Sequence, residues 1–198
     1  ILKVAINGFG RIGRSFFRLS LADPTIQIVA INDPADTKTL AHLLKYDSIH
    51  GVIDHSIKTD NDLIVCNNSK VVVTHEKDIQ KTNWQQVKPD FVLESSGQFK
   101  SYDQLKYHIK NGADRCILSV PPTDNAIKMV VLGVNEDILT AEDQVVSNAS
   151  CTTNNAAPML DVVLQKIGVK QAYISTVHSY TTDQSLHDSP HKDLRRAR

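Results

Sequence analysis

The chain has 198 residues, 41% of them hydrophobic, which is enough to bury one full core and part of a second domain. Lys plus Arg and Asp plus Glu number 22 each, so overall charge excludes a general footprint for nucleic acid or an anionic membrane, and any anion site must be local. Three cysteines without CxxC spacing argue against a disulfide framework; no apolar run nears the roughly 20 residues that span a bilayer and no signal-peptide pattern opens the chain, so a cytoplasmic protein is expected.

Residues 2–6 read as a short strand that runs directly into Asn7-Gly8-Phe9-Gly10-Arg11-Ile12-Gly13-Arg14 and a helical pattern through Leu21. This is GxGxxG between a strand and a helix. Gly8 permits the tight turn, Gly10 lets a pyrophosphate approach the backbone, and Gly13 lets helix and strand pack closely. A second strand over 26–31 closes a βαβ unit and ends at Asp33, 20 residues past Gly13. At that spacing a carboxylate accepts hydrogen bonds from the adenosine ribose and repels a 2′-phosphate, which favours NAD over NADP.

A short helix over 37–44 precedes an antiparallel region through Thr74, with turn signals at Asn61-Asp62 and Asn67-Asn68. His50, His55 and His75 share no ligand spacing with a cysteine or carboxylate cluster, so no metal site is expected. Parallel alternation resumes with strands over 91–94 and 115–119, a helix over 101–111 between them, and further strands over 129–134 and 144–147. Ligands of open α/β sheets lie outside the carboxyl ends of strands, which makes Ser96, Gly97 and Ser119 candidate cofactor neighbours. Cys66, beside the Asn67-Asn68 turn, reads as structural, and Cys116, inside an apolar run, as buried and inert.

Cys151 follows Ser150, a good N-cap, and opens an apolar pattern of Met159, Leu160, Val163, Leu164 and Ile167 at helical steps. A helix N-terminus favours the thiolate, the nucleophilic form of cysteine. A strand over 171–178 ends at His178, which supplies a group able to move protons near neutral pH. The polar remainder ends at Arg198 without a closing element, so a chain cut inside its second domain is expected.

The strings NGFGRIGR, LLKYDSIHG, ESSGQF, SNASCTTN, TVHSYTTDQ and PHKDLRRAR run the length of the chain and resemble the glyceraldehyde-3-phosphate dehydrogenase family. The resemblance implies an α/β architecture: a Rossmann-type doubly wound parallel sheet over 1–150, then the start of an α+β catalytic domain over 151–198. It implies NAD as cofactor, glyceraldehyde 3-phosphate and inorganic phosphate as substrates, and a homotetramer at full length. Residue by residue, Cys151 matches the nucleophile and His178 its proton-transfer partner. Arg11, Ile12, Asp33 and Ser119 match cofactor contacts, and Lys77 stands where many members carry an Arg near the adenine. Ser150, Thr152 and Thr181 match substrate and phosphate contacts, and Arg196 a further phosphate contact, with Arg195 and Arg198 as close rivals. Asn155, Thr182 and Ser189 depart from common family residues; the last bears on the choice of NAD. Two other readings stay open: the same machinery acting on erythrose 4-phosphate, and a truncated, non-catalytic NAD-binding relative. The 198 residues alone are expected to be inactive.

Overall fold

Alternation decides the first strand: in Leu2–Asn7 (β1), Val4 and Ile6 join the core on one face of the sheet and Ala5 joins the core on the other. Burial on both faces is what a central parallel strand requires. The computed structural model describes residues 1–67 and 69–180, and the chain divides into two units, Ile1–Asp161 and Val162–Arg198.

In the first unit β1 leads into α1 (Arg11–Ser20), whose Phe17 packs edge-to-face on Phe9 with ring centroids 5.8 Å apart. Next come β2 (Ile26–Asn32) and α2 (Thr37–Lys45). The Asp36 carboxylate caps α2 by accepting from the Thr39 N–H at 3.0 Å, and Leu40, Ala41 and Leu44 carry its buried stripe. A two-stranded hairpin, β3 (Tyr46–Asp47) with β4 (Gly51–Val52), precedes the antiparallel β5 (Ile57–Asp60), β6 (Leu63–Cys66) and β7 (Ser69–Thr74). Then follow β8 (Phe91–Glu94), α3 (Tyr102–Lys110), β9 (Arg115–Leu118), β10 (Lys128–Met129) and β11 (Val145–Ser147).

These strands form one sheet in the order β10-β11-β9-β8-β1-β2-β7-β6-β5 among the described residues. Every pairing from β10 to β7 is parallel, and β6 and β5 add an antiparallel edge. The chain winds outward from β1 through β2 in one direction, then returns to place β8 on the other side of β1. This is the doubly wound Rossmann-type arrangement, and its switch point lies between β1 and β8.

Two expected strands are corrected. Of the run 129–134 only Met129 is in a strand (Lys128–Met129), because the chain turns there: Val134 N–H donates to the Val131 carbonyl at 3.1 Å, the Asn135 side chain accepts from Val131 N–H at 2.8 Å, and Gly133 takes φ +80°. Residues 171–178, which carry the alternation of a strand, form none, since a strand exists only through a paired neighbour and no described residue pairs with them. The last helix, α4, spans Cys151–Ile167 and contains Pro158; Met159, Val162 and Ile167 on it are exposed.

Candidate dinucleotide and thiol site

The switch point is built by backbone fitting backbone. Gly8 has φ +90°, and a Cβ there would lie 2.3 Å from both Cα and N of Ser96. Only a residue without a side chain lets the turn after β1 touch the turn after β8. At Gly13 a Cβ would meet the Gly8 carbonyl oxygen at 2.4 Å, so α1 can lie this close to β1 only with glycine there. Gly10 differs, because a Cβ there would meet no described residue within 4 Å. Its open side faces a cleft of about 430 Å³, and as N-cap of α1 it offers no side chain to the helix's first N–H groups.

That cleft brings together the predicted Gly8, Gly10, Asp33, Lys77 and Ser96. Asp33 stands just past β2 and is oriented by two amides, Phe9 N–H at 2.8 Å on one oxygen and Ala35 N–H at 2.9 Å on the other. Gly97, at φ +73°, follows Ser96 in the same turn. Sequence reasoning missed Asn7, Asn32, Glu76, Gln98 and Phe99, which also line the cleft. Their signal was position: Asn7 and Asn32 are the last residues of β1 and β2, and Glu76 and Gln98 lie shortly after β7 and β8, where the ligand rule points.

A second hollow in the first unit, about 690 Å³ with mostly apolar walls, contains Ile12, Ser119, Ser150 and Cys151. The first hollow is lined from the ends of β1 and β2 and the turns after β7 and β8, whereas the second draws on β1, β2, β8, β9 and β11. Cys151 is the first residue of α4 and is exposed, whereas Cys66 and Cys116 are buried. Burial pushes the Cys66 thiol up, and burial with the nearby Glu94 carboxylate pushes the Cys116 thiol well up. Ser150 caps α4, its Oγ accepting from the Thr153 N–H at 3.0 Å, after Ala149 turns the chain at φ +56°. Thr152 is half-buried in the same helical turn.

Arg11 turns its guanidinium to Asp47 in a two-bond ion pair of 2.9 and 3.3 Å. His178 belongs to the second unit, where it is exposed and its Nδ1 lies 2.7 Å from the Ser179 carbonyl oxygen. Thr181 and Arg196, with Thr182, Ser189, Arg195 and Arg198, lie outside the described residues. Among the described residues no group of three His, Cys, Asp or Glu side chains is placed to hold a metal ion, and no helix is long and apolar enough to cross a membrane.

A glycine turn at the switch point of a parallel sheet, an uncapped helix N-terminus and a carboxylate held at the end of the second strand define a dinucleotide-binding α/β protein. Residues 2–102 match the family described as "Glyceraldehyde 3-phosphate dehydrogenase, NAD binding domain", and residues 150–198 match "Glyceraldehyde 3-phosphate dehydrogenase, C-terminal domain". The chain belongs to the glyceraldehyde-3-phosphate dehydrogenase family. It is 45% identical over 198 residues to the glyceraldehyde-3-phosphate dehydrogenase of Geobacillus stearothermophilus, covering all of this chain and 59% of that protein. The Mycoplasma pneumoniae enzyme of the same name is 47% identical over 197 residues, 100% of this chain and 58% of the relative. The Thermotoga maritima enzyme is 47% identical over 199 residues, 99% of this chain and 59% of the relative. The chain therefore spans somewhat under three fifths of the length of these relatives.

The cofactor of the matched domain is NAD, and the residues present fit it. The cleft is open where Gly10 lacks a side chain, the first turn of α1 offers N–H groups to a pyrophosphate, and Asp33 is fixed where a ribose would be bound.

Proposed function

We propose that the protein carrying this chain is a cytoplasmic, phosphorylating glyceraldehyde-3-phosphate dehydrogenase of glycolysis that works as a homotetramer. The observation that carries the reading is the position of Cys151: an exposed thiol, first residue of a capped helix, in a hollow shared with Ser119 and Ile12 beside the dinucleotide cleft. A helix N-terminus stabilises a thiolate, and the two other cysteines are held protonated by burial.

In this reading residues 1–150 bind the cofactor and 151–198 begin the catalytic domain. The thiolate of Cys151 attacks the aldehyde carbon of glyceraldehyde 3-phosphate and forms a hemithioacetal. His178 takes the hydroxyl proton as the carbon is oxidised, which leaves a thioester on Cys151, and inorganic phosphate attacks that thioester to release 1,3-bisphosphoglycerate and the thiolate. NAD supplies the hydride acceptor when bound. Gly8, Gly10 and Gly13 shape the pyrophosphate site with Arg11 and Ile12. Asp33 holds the adenosine ribose, Lys77, Ser96 and Gly97 border the adenosine end, and Ser119 borders the nicotinamide end. Ser150, Thr152, Thr181 and Arg196 bind the substrate and phosphate oxyanions.

NADH formation by the native protein with glyceraldehyde 3-phosphate, NAD and phosphate tests the assignment, with Cys151→Ser as the control. Phosphate-dependent turnover that disappears in the variant is expected. Higher kcat/KM for erythrose 4-phosphate would replace the substrate, and turnover unchanged by Cys151→Ser would remove the nucleophile.

A further inference from the structure

Under the dinucleotide cleft runs a chain of buried polar side chains that neither the glycine turn nor the thiol chemistry uses. Glu94, the last residue of β8, is fully buried, and so is His108 on α3. A carboxyl group in such a place is costly unless every lone pair is used. Here four donors reach it. One oxygen accepts from the Ser96 N–H at 2.9 Å and the Ser96 hydroxyl at 2.5 Å; the other accepts from the Asn7 amide at 2.6 Å and faces His108 Nε2 at 3.0 Å.

The direction of every bond in this chain follows from its two ends. The Trp84 indole can only donate, and it reaches His108 Nδ1 at 3.2 Å, so Nδ1 carries no proton and Nε2–H donates to Glu94. At the other end the Glu76 backbone N–H can only donate, and it reaches the Asn32 side-chain oxygen at 2.9 Å, so the Asn32 amide nitrogen must face the Asn7 oxygen at 2.8 Å. That in turn points the Asn7 amide nitrogen at Glu94. All four neighbouring groups donate, so both oxygens of Glu94 act as acceptors.

We propose that Glu94 is a positioning residue for the dinucleotide: its buried carboxylate fixes the hydrogen-bond polarity of Asn7, Asn32 and Ser96, and thereby holds the Glu76–Lys77 rim and the Ser95–Ser96 rim of the cleft in register. The inference rests on the cofactor assignment for this cleft. Glutamine is nearly the same size but puts an NH₂ where an acceptor is needed. Facing Ser96 it meets a backbone N–H that cannot turn away. Facing Asn7 it can be accommodated only if the Asn7 amide flips, which then opposes the Asn32 amide, and a flip of Asn32 meets the Glu76 N–H. No arrangement of Glu94→Gln satisfies both rims.

The test combines calorimetric titration of NAD into the wild-type chain, Glu94→Gln and the double variant Asn7→Asp/Glu94→Gln with ¹⁵N NMR of the His108 ring. Glu94→Gln is expected to weaken NAD by about tenfold or more, the effect of roughly one unsatisfied buried group. Loss of a negative charge would by itself favour a bound pyrophosphate, so weakening is opposite in sign to a simple Coulomb effect. The double variant returns the carboxylate one bond away, restores the polarity towards Asn32, and should recover affinity to within about threefold of wild type. It leaves His108 facing an amide, so the His108 signals should stay perturbed while binding recovers, a separation that a merely structural role would not produce.

In the wild type His108 should be the Nε2–H tautomer, a result that does not depend on any variant folding. An Nδ1–H tautomer, wild-type affinity in Glu94→Gln, or no recovery in the double variant would overturn the proposal. Absence of NAD binding by the wild-type chain would instead overturn the cofactor assignment and this inference with it.

Discussion

Replacing Gly8 and Gly10 by alanine, one at a time, should separate what holds the fold from what receives the ligand. At Gly8 the left-handed φ of +90° costs an L-residue about 1–2 kcal/mol. The new Cβ would start 2.3 Å from the Ser96 backbone, so the turn after β8 must retreat by about 1 Å to reach the 3.4 Å of ordinary contact. That retreat loosens three bonds: Ser95 N–H to the Asn7 carbonyl at 2.8 Å, Ser95 hydroxyl to the Gly8 carbonyl at 2.7 Å, and Ser96 N–H to Glu94 at 2.9 Å. At about 1 kcal/mol each, with partial relaxation, the total is about 4 kcal/mol, a large share of the 5–15 kcal/mol that stabilises a typical domain. Gly10→Ala meets no atom of the described residues within 4 Å and keeps an ordinary extended backbone, so its stability should stay within about 0.5 kcal/mol of wild type. Its methyl group instead occupies the path of the pyrophosphate, and NAD affinity should fall by about tenfold or more. Urea unfolding followed by far-UV circular dichroism, with calorimetric NAD titration, reads both quantities. A Gly8→Ala protein within about 1 kcal/mol of wild type, or a Gly10→Ala protein that binds NAD normally, would refute this account of the turn.

Limiting iodoacetamide near neutral pH should label Cys151 well before Cys66 or Cys116, since burial holds the latter two thiols protonated; equal labelling by peptide mapping of folded protein would contradict the site. Asp33→Ala should narrow or reverse the preference for NAD over NADP in paired titrations, and an unchanged ratio would mean that this carboxylate does not meet the ribose. The Asp47 carboxyl is held far below the usual carboxylate range by the His50 and Ile49 amides and by Arg11. A depressed folded pKa gives stability that is complete above the unfolded value near 4 and is lost as pH falls towards the folded one. Asp47→Asn should therefore lower stability at pH 7 and flatten its decline in acid, which thermal unfolding at several pH values would show; an identical acid profile would remove the group from the account.

The βαβ unit, the glycine turn and Asp33 were legible because each is a local pattern whose physical reason lies within a few residues of itself. Ser150 capping a helix that starts at Cys151 was legible for the same reason. The failures share a different cause. Residues 171–178 alternate as a strand should, but β-structure needs a partner and alternation does not supply one. The run 129–134 is apolar enough for a strand, yet Asn135, one residue beyond it, bonds back to Val131 and turns the chain. Glu94 ends the expected 91–94 strand and His108 falls within the expected 101–111 helix, and the sequence singles out neither. Their meeting under the cleft, with Trp84 behind them, depends on α3 crossing the sheet at one position, and no sequence spacing encodes that.

The two ends of the sheet bear on how the protein stays dispersed. A strand with unpaired N–H and C=O groups invites a second chain to add to it, and a sheet built mainly from apolar parallel strands would be a strong template for such growth. Here one margin, β10, is only two residues long, and its Lys128 is tied back to Asp143 at 2.7 Å and the Ile138 carbonyl at 2.9 Å. The other margin, β5, presents exposed Lys58, Thr59 and Asp60. An incoming strand would have to desolvate a lysine and an aspartate on that side and would find little length to pair with on the other, so both margins discourage edge-to-edge aggregation.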